Sequence, residues 1–178
     1  MALQVSFRVV GLYCYFENLQ LDGVEDTSSV ESVMQAVHDA KSDFSFTHMD
    51  MDGKQIVNSM SYTFGPDSTT PYNTSGTPPD GKRSLSISLG TPSVIWQYYR
   101  SVTGTLNGTV CEIKLLTRGQ PSFSDTALNY YDPFFGAIPP AFDIHTYNLT
   151  WRLVQIQMSP QNQAKFMAAH AKFLNAAK

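Results

Sequence analysis

Leu3, Val5, Phe7 and Val9 alternate with Gln4, Ser6 and Arg8, the period-two pattern of a half-buried strand. After Val9-Val10-Gly11 the phase blurs through Leu12–Phe16, which predicts a bulge or a second short strand. Ser28-x-x-Glu31 has the spacing of a capping box, in which each side chain satisfies the other residue's orphan backbone N–H. Val30, Val33, Met34 and Val37 follow on one apolar stripe of helical period, so a helix is predicted over 29–40.

Phe44–Met51 and Gln55–Phe64 read as a hairpin about Asp52-Gly53. A two-residue turn pairs Met51 with Lys54 and sets Phe46 opposite Ser59. A three-residue loop over Asp52–Lys54 instead pairs Phe46 with Met60 and Phe44 with Tyr62, and the shared aromatic face favours this bulged loop. Ser84–Gly90 alternates as a strand. Asn107-Gly108 joins two further alternating runs and is the preferred pair for a type I′ turn. With Leu106 opposite Thr109, Trp96, Tyr98, Val102, Leu106, Cys111, Ile113 and Leu115 collect on one face, and Thr103, Thr105, Glu112 and Lys114 on the other. Cys111 is thereby expected to be buried. Asp143–Met158 is a long strand whose inward set runs from His145 through Tyr147, Leu149, Trp151 and Leu153. It then shifts to Val154, Ile156 and Met158. Ser159-Pro160 supplies an N-cap and an N1 proline for a last helix over 160–176, with Phe166, Met167, His170, Phe173 and Leu174 on its buried face.

These elements define an α+β class: about seven strands, mostly antiparallel, in one curved sheet with two amphipathic helices packed on it. The whole chain, 1–178, reads as one domain with long loops at 65–83 and 117–142. The opening strand region, the capped helix GVEDTSSVESVMQAV and the strand FSFTH, in that order, resemble a β-grasp ligand-binding module over about a third of the chain. That resemblance offers an alternative arrangement and carries no site residue.

Composition narrows the function classes. Only 15% of the residues are charged, against a usual value of about 25%, and the net charge is −3 with a pI near 5.7. No basic block exists to track a phosphate backbone, so nucleic acid is not an expected partner. No run approaches the roughly 18 apolar residues of a membrane span. The start MALQVSFRVV alternates at once, unlike a signal peptide, so a cytoplasmic location is expected. The N-x-[ST] tripeptides at Asn73, Asn107 and Asn148 then read as chance, and Cys14 and Cys111 are too few for a disulfide scaffold. No P-loop, G-x-G-x-x-G, C-x-x-C or G-x-S-x-G pattern occurs, and no cofactor is expected.

Two constellations could carry chemistry. His48-x-Asp50-x-Asp52 places three groups on one strand face, where imidazole and carboxylates can ligate a cation or exchange protons. The plainer reading has His48 continuing the Phe44–Phe46 row and both aspartates solvated at the turn, so no metal is expected. Asp143 and His145 form a second such pair, and His145 reads first as a sheet-edge histidine. His170 reads as structural and His38 as a surface residue.

The densest feature is Asn129–His145, NYYDPFFGAIPPAFDIH, where two adjacent prolines exclude a continuous helix. Its rings can finish the core, form a subunit interface, or line a pocket. In the last case Tyr130, Tyr131, Phe134 and Phe135 are walls and Asp143 or His145 is the polar contact. Two function classes follow. The first is a non-enzymatic binding or self-assembling module that uses 117–142, and with it 65–83, as its contact surface; a homo-oligomer is its expected form. The second is a binder of a small apolar ligand, or an enzyme, with a cleft under that loop and a polar centre at His48, Asp50 or His145; this class requires those groups to converge. The balance leans away from an enzyme. On the first reading, Phe134→Ala or Phe135→Ala lowers the association measured by light scattering. Unchanged oligomeric mass and partner binding in both variants would remove the interface reading.

Overall fold

A computed structural model describes residues 3–12, 14–63, 84–89, 94–115, 119–128, 138–155 and 157–176. Along the chain come β1 (Leu3–Val9), β2 (Cys14–Leu21), α1 (Val30–Ala40), β3 (Phe44–Met51), β4 (Lys54–Thr63) and β5 (Ser84–Ser88). They are followed by β6 (Val94–Leu106), β7 (Thr109–Lys114), β8 (Asp143–Gln155) and α2 (Pro160–Ala176). The class is α+β as expected, but the strands do not form one sheet of about seven. Among the described residues they divide into a five-stranded sheet, β2-β1-β8-β6-β7, and a three-stranded sheet, β3-β4-β5. The larger sheet is mixed, because β1 runs parallel to β8, with Phe7 opposite Leu149. Hairpin signals specify only neighbours in sequence, so this parallel pair could not be read from them.

Both Asp-Gly and Asn-Gly turns place two consecutive residues in the left-handed region: φ 59° and 77° at Asp52 and Gly53, 50° and 79° at Asn107 and Gly108. The first hairpin therefore has the two-residue turn, with Met51 opposite Lys54, and not the longer loop expected for it. Phe46 nevertheless pairs with Met60, and Phe44 with Tyr62. The register shift is taken up inside β4, where Asn58 is the extra residue between Val57 and Ser59. The second hairpin pairs Leu106 with Thr109 as expected. Cys111 is only half-buried, however, because β7 is the outer strand of its sheet.

Other local expectations shift by a residue or more. Helix α1 is capped by Ser29, whose hydroxyl accepts from the Ser32 N–H at 3.2 Å, while Ser28 turns back to accept from the Glu25 N–H. The stripe Val30, Val33, Met34 and Val37 is buried as expected. The blurred phase after Gly11 is a second strand, and its bulge lies farther on, at Asn18 (φ 52°), whose N–H donates to Ser6 Oγ. The bulge of β8 is at its start and not beyond Leu153: Thr146 faces Thr103 and Ile144 faces Gly104, leaving His145 as the extra residue. Helix α2 buries Phe166 and Ala169, but Met167 and Leu174 are 52% and 50% exposed.

The two sheets pack face to face. Phe7 meets Phe44 at 5.0 Å between ring centroids, Phe16 meets Tyr62 at 5.7 Å, and Tyr98 stacks on Trp151 at 4.6 Å within the larger sheet. The α1 stripe joins the same contiguous core. Segment 119–128 runs between these layers. Its backbone meets β4 through Phe123 N–H to Gln55 O, and meets α1 through Val30 N–H to Asp125 O and Glu31 N–H to Phe123 O.

At the β8 bulge the strands come unusually close. A Cβ on Gly104 would overlap the Asp143 carbonyl oxygen and lie 2.7 Å from the Phe142 ring. Backbone cannot yield there without giving up the β6–β8 ladder. Gly104→Ala is therefore expected to cost about 3 kcal/mol, read as a lower urea midpoint at unchanged m-value. A midpoint equal to that of the parent chain would contradict this close approach.

Candidate functional site

The residues singled out in the sequence go to different places. His48 is exposed on β3, its ring 5.4 Å from that of Phe123, in a shallow cleft of about 300 Å³ shared with Glu31, Gln35, His38 and Phe46. His38 is half-buried there and not a free surface residue, since its Nδ1 lies 2.6 Å from the Phe44 carbonyl oxygen. Asp50 closes the neighbouring turn, accepting from the Gly53 N–H at 3.1 Å and from Gln55 Nε2 at 3.4 Å. Asp52 turns away to Lys165, 2.7 Å from its Nζ. The period-two spacing thus does not gather the three groups around a common ligand. Among the described residues, no three His, Cys, Asp or Glu side chains are placed to hold a metal ion.

His145 occupies the β8 bulge, with Nε2 3.4 Å from Asp143 Oδ2 and 3.2 Å from Thr105 Oγ1; the two side chains are 45% and 81% exposed. This pair sits on the five-stranded sheet, whereas His48 and Asp50 sit on the three-stranded one. The pairs share no contact among the described residues. Tyr130, Tyr131, Phe134 and Phe135 lie outside the described residues. On either side of them, Ala127, Leu128 and Phe142 are buried and Ile138 packs against the core.

A cleft of about 390 Å³ is formed instead where the β3–β4 hairpin meets the start of α2. The tight turn projects Met51, Asp52 and Lys54 from one side, β6 contributes Ile95, and Met158 and Lys165 come from the α2 end. Gln120 braces the back of it, accepting from the Trp96 N–H at 2.8 Å and donating to the Val57 carbonyl at 3.3 Å. Ser159 caps α2 through the Asn162 N–H, so the expected Ser-Pro start fixes where this wall begins. The turn and the helix start are each legible in the sequence, but no local spacing signals that residues 52 and 165 meet.

Arg100 was also missed, although it falls in the inward row between Tyr98 and Val102. It is fully buried, and its Nη1 donates to the Ala127 carbonyl at 3.0 Å. Burial pushes the Cys14 thiol up to about 12, outweighing a backbone hydrogen bond at Val9. Burial, and then the nearby Glu112 carboxylate, hold the Tyr99 hydroxyl above its ordinary value. No helix among the described residues is long and apolar enough to cross a membrane. The chain matches no family model, no curated protein and no solved structure.

The Asp52–Lys165 contact gives the cleft a pH dependence. The Lys165 hydrogen bond and charge, with a smaller pull from Lys54, hold the Asp52 carboxyl below its usual value. A carboxylate lowered on folding contributes stability that is full above its unfolded value, about 3.9, and is lost as pH falls through its folded value. In amide exchange, the second turn of α2, which carries Lys165, is expected to be better protected in the parent chain than in Asp52→Asn near neutral pH. The two should converge in acid below that range. An equal difference at both pH values would show that Asp52 does not tether the helix.

Proposed function

We propose that this protein is a non-enzymatic binding module whose ligand is a small apolar molecule, taken into the cleft between the β3–β4 hairpin and α2. The observation that carries this reading is the cleft itself. Met51, Ile95 and Met158 give it an apolar patch, with Asp52, Lys54 and Lys165 as the charged groups of an otherwise uncharged polar lining. An apolar patch with convergent polar groups, at this volume, suits a small molecule. Gln120 ties the β4 and β6 sides of the cleft together, so that wall is in place before a ligand arrives.

The test uses Nile red, an uncharged apolar dye whose emission rises on leaving water. The parent chain is expected to bind it saturably. Ile95→Trp and, separately, Met158→Trp fill the cleft from opposite sides, and each is expected to weaken binding about tenfold, the equivalent of about 1.4 kcal/mol. Met158 precedes α2 and lies outside the strands, so its replacement leaves the sheets intact if the Ile95 variant does not. A dye titration unchanged in both variants would overturn the proposal.

A further inference from the structure

We infer that the molecule taken by this cleft is an amphiphile with an anionic head, of the chemical class of a medium-chain carboxylate, its tail on Met51, Ile95 and Met158 and its head at Lys54. The inference rests on the reading of the cleft as a ligand site and adds the chemistry of the ligand. Its basis is the distribution of charge around the mouth. The chain as a whole carries −3, yet the groups lining this cleft are two lysines and one aspartate. Asp52 is already engaged by Lys165 at 2.7 Å. Lys54 pulls on the same carboxylate more weakly than Lys165 does, so the charged groups of the lining sum to one net positive charge beside the apolar walls.

The start of α2 does not cancel it. The first turn of α2 contains no acidic residue, only Gln161, Asn162 and Gln163 after its proline. On its other side Lys54 borders a second groove that carries Glu31 and Asp125. Glu31 belongs to the first turn of α1, and Asp125 turns its carboxylate to the Ser122 N–H at 3.0 Å. A head group with a negative charge thus gains Coulombic energy at Lys54, and an ammonium head meets a like charge. The aliphatic stem of Lys54 can lie along the apolar wall while its ammonium stays in water, which suits a ligand whose own charge must stay wet.

The experiment displaces Nile red from the full chain with decanoate, decanol and decylammonium, three probes that share a tail and differ in the charge of the head. Decanoate is expected to displace the dye at about fivefold lower concentration than decanol, with decylammonium the weakest, since an exposed ion pair supplies up to about 1 kcal/mol. Lys54→Glu should exchange the order of decanoate and decylammonium. Added salt should narrow the decanoate preference. If decanol displaces as well as decanoate, the cleft stands and the anionic head is wrong. If decylammonium leads in the parent chain, or Lys54→Glu leaves the order as it was, the inference is likewise overturned. If no probe competes and the Ile95 and Met158 variants bind dye like the parent chain, it is the cleft reading that fails.

Discussion

Arg100 brings a guanidinium into the middle of an apolar layer, between Tyr98 and Val102 on the inward row of β6, with no exposed surface at all. A charge so placed is costly unless strong hydrogen-bond acceptors come to it, and here they are backbone carbonyls of segment 119–128. Nη1 reaches the carbonyl of Ala127 at 3.0 Å and that of Thr126 at 3.5 Å, and the Tyr98 hydroxyl donates to Ala127 as well. The guanidinium also lies 5.6 Å from the centre of the Tyr98 ring. Where this irregular segment is buried, at Ala127 and Leu128, its carbonyls need donors, and a buried arginine has donors that need carbonyls. Each makes the other tolerable.

The rest of the packing follows from that exchange. Once 126 and 127 are held against β6, the same segment presents its carbonyls at Phe123 and Asp125 to the first N–H groups of α1, donors that a helix cannot satisfy internally. It also bridges to Ile56 on β4 and, through Gln120, to the start of β6. One irregular stretch thereby fixes the helix, the smaller sheet and the larger sheet relative to one another. This is why the two sheets form one core, although no strand pairs across them among the described residues.

What could be read from the sequence divides along the same line. Local periodicity places α1, both hairpins and the α2 start, because each depends on residues within a few positions of one another. The pairing of Phe46 with Met60 was also legible, but its cause was not. Alternation reports which residues share a face, and it cannot tell whether a register shift sits in the turn or at Asn58. The parallel β1–β8 pair joins the two ends of the chain and leaves no local mark. Arg100 was passed over because a charged residue in an inward row looks like a gap in the pattern, when its partners lie some distance along the chain. The same limit applies to the candidate site. Period-two spacing puts His48, Asp50 and Asp52 on one face, but Asp52 falls in the turn beyond β3 and each side chain answers to a different neighbour: Phe123, Gly53 and Lys165. Spacing along a strand gives direction, and function needs distance.

The cleft inherits its character from how lightly α2 is held. The helix buries Phe166 and Ala169 and half-buries His170 and Phe173, while the rest of it faces solvent. Its first half is tied to the sheets by the Lys165–Asp52 contact, and an exposed ion pair contributes little. Regions with few buried contacts open at low free-energy cost, so this wall of the cleft is expected to be among the least stable parts of the fold. The opposite wall, Met51 and Ile95, belongs to strands locked by ladder hydrogen bonds on either side of Gln120. A ligand between a firm wall and a loose one binds only when both are in place. By linkage its occupancy must favour the docked helix as much as the docked helix favours it.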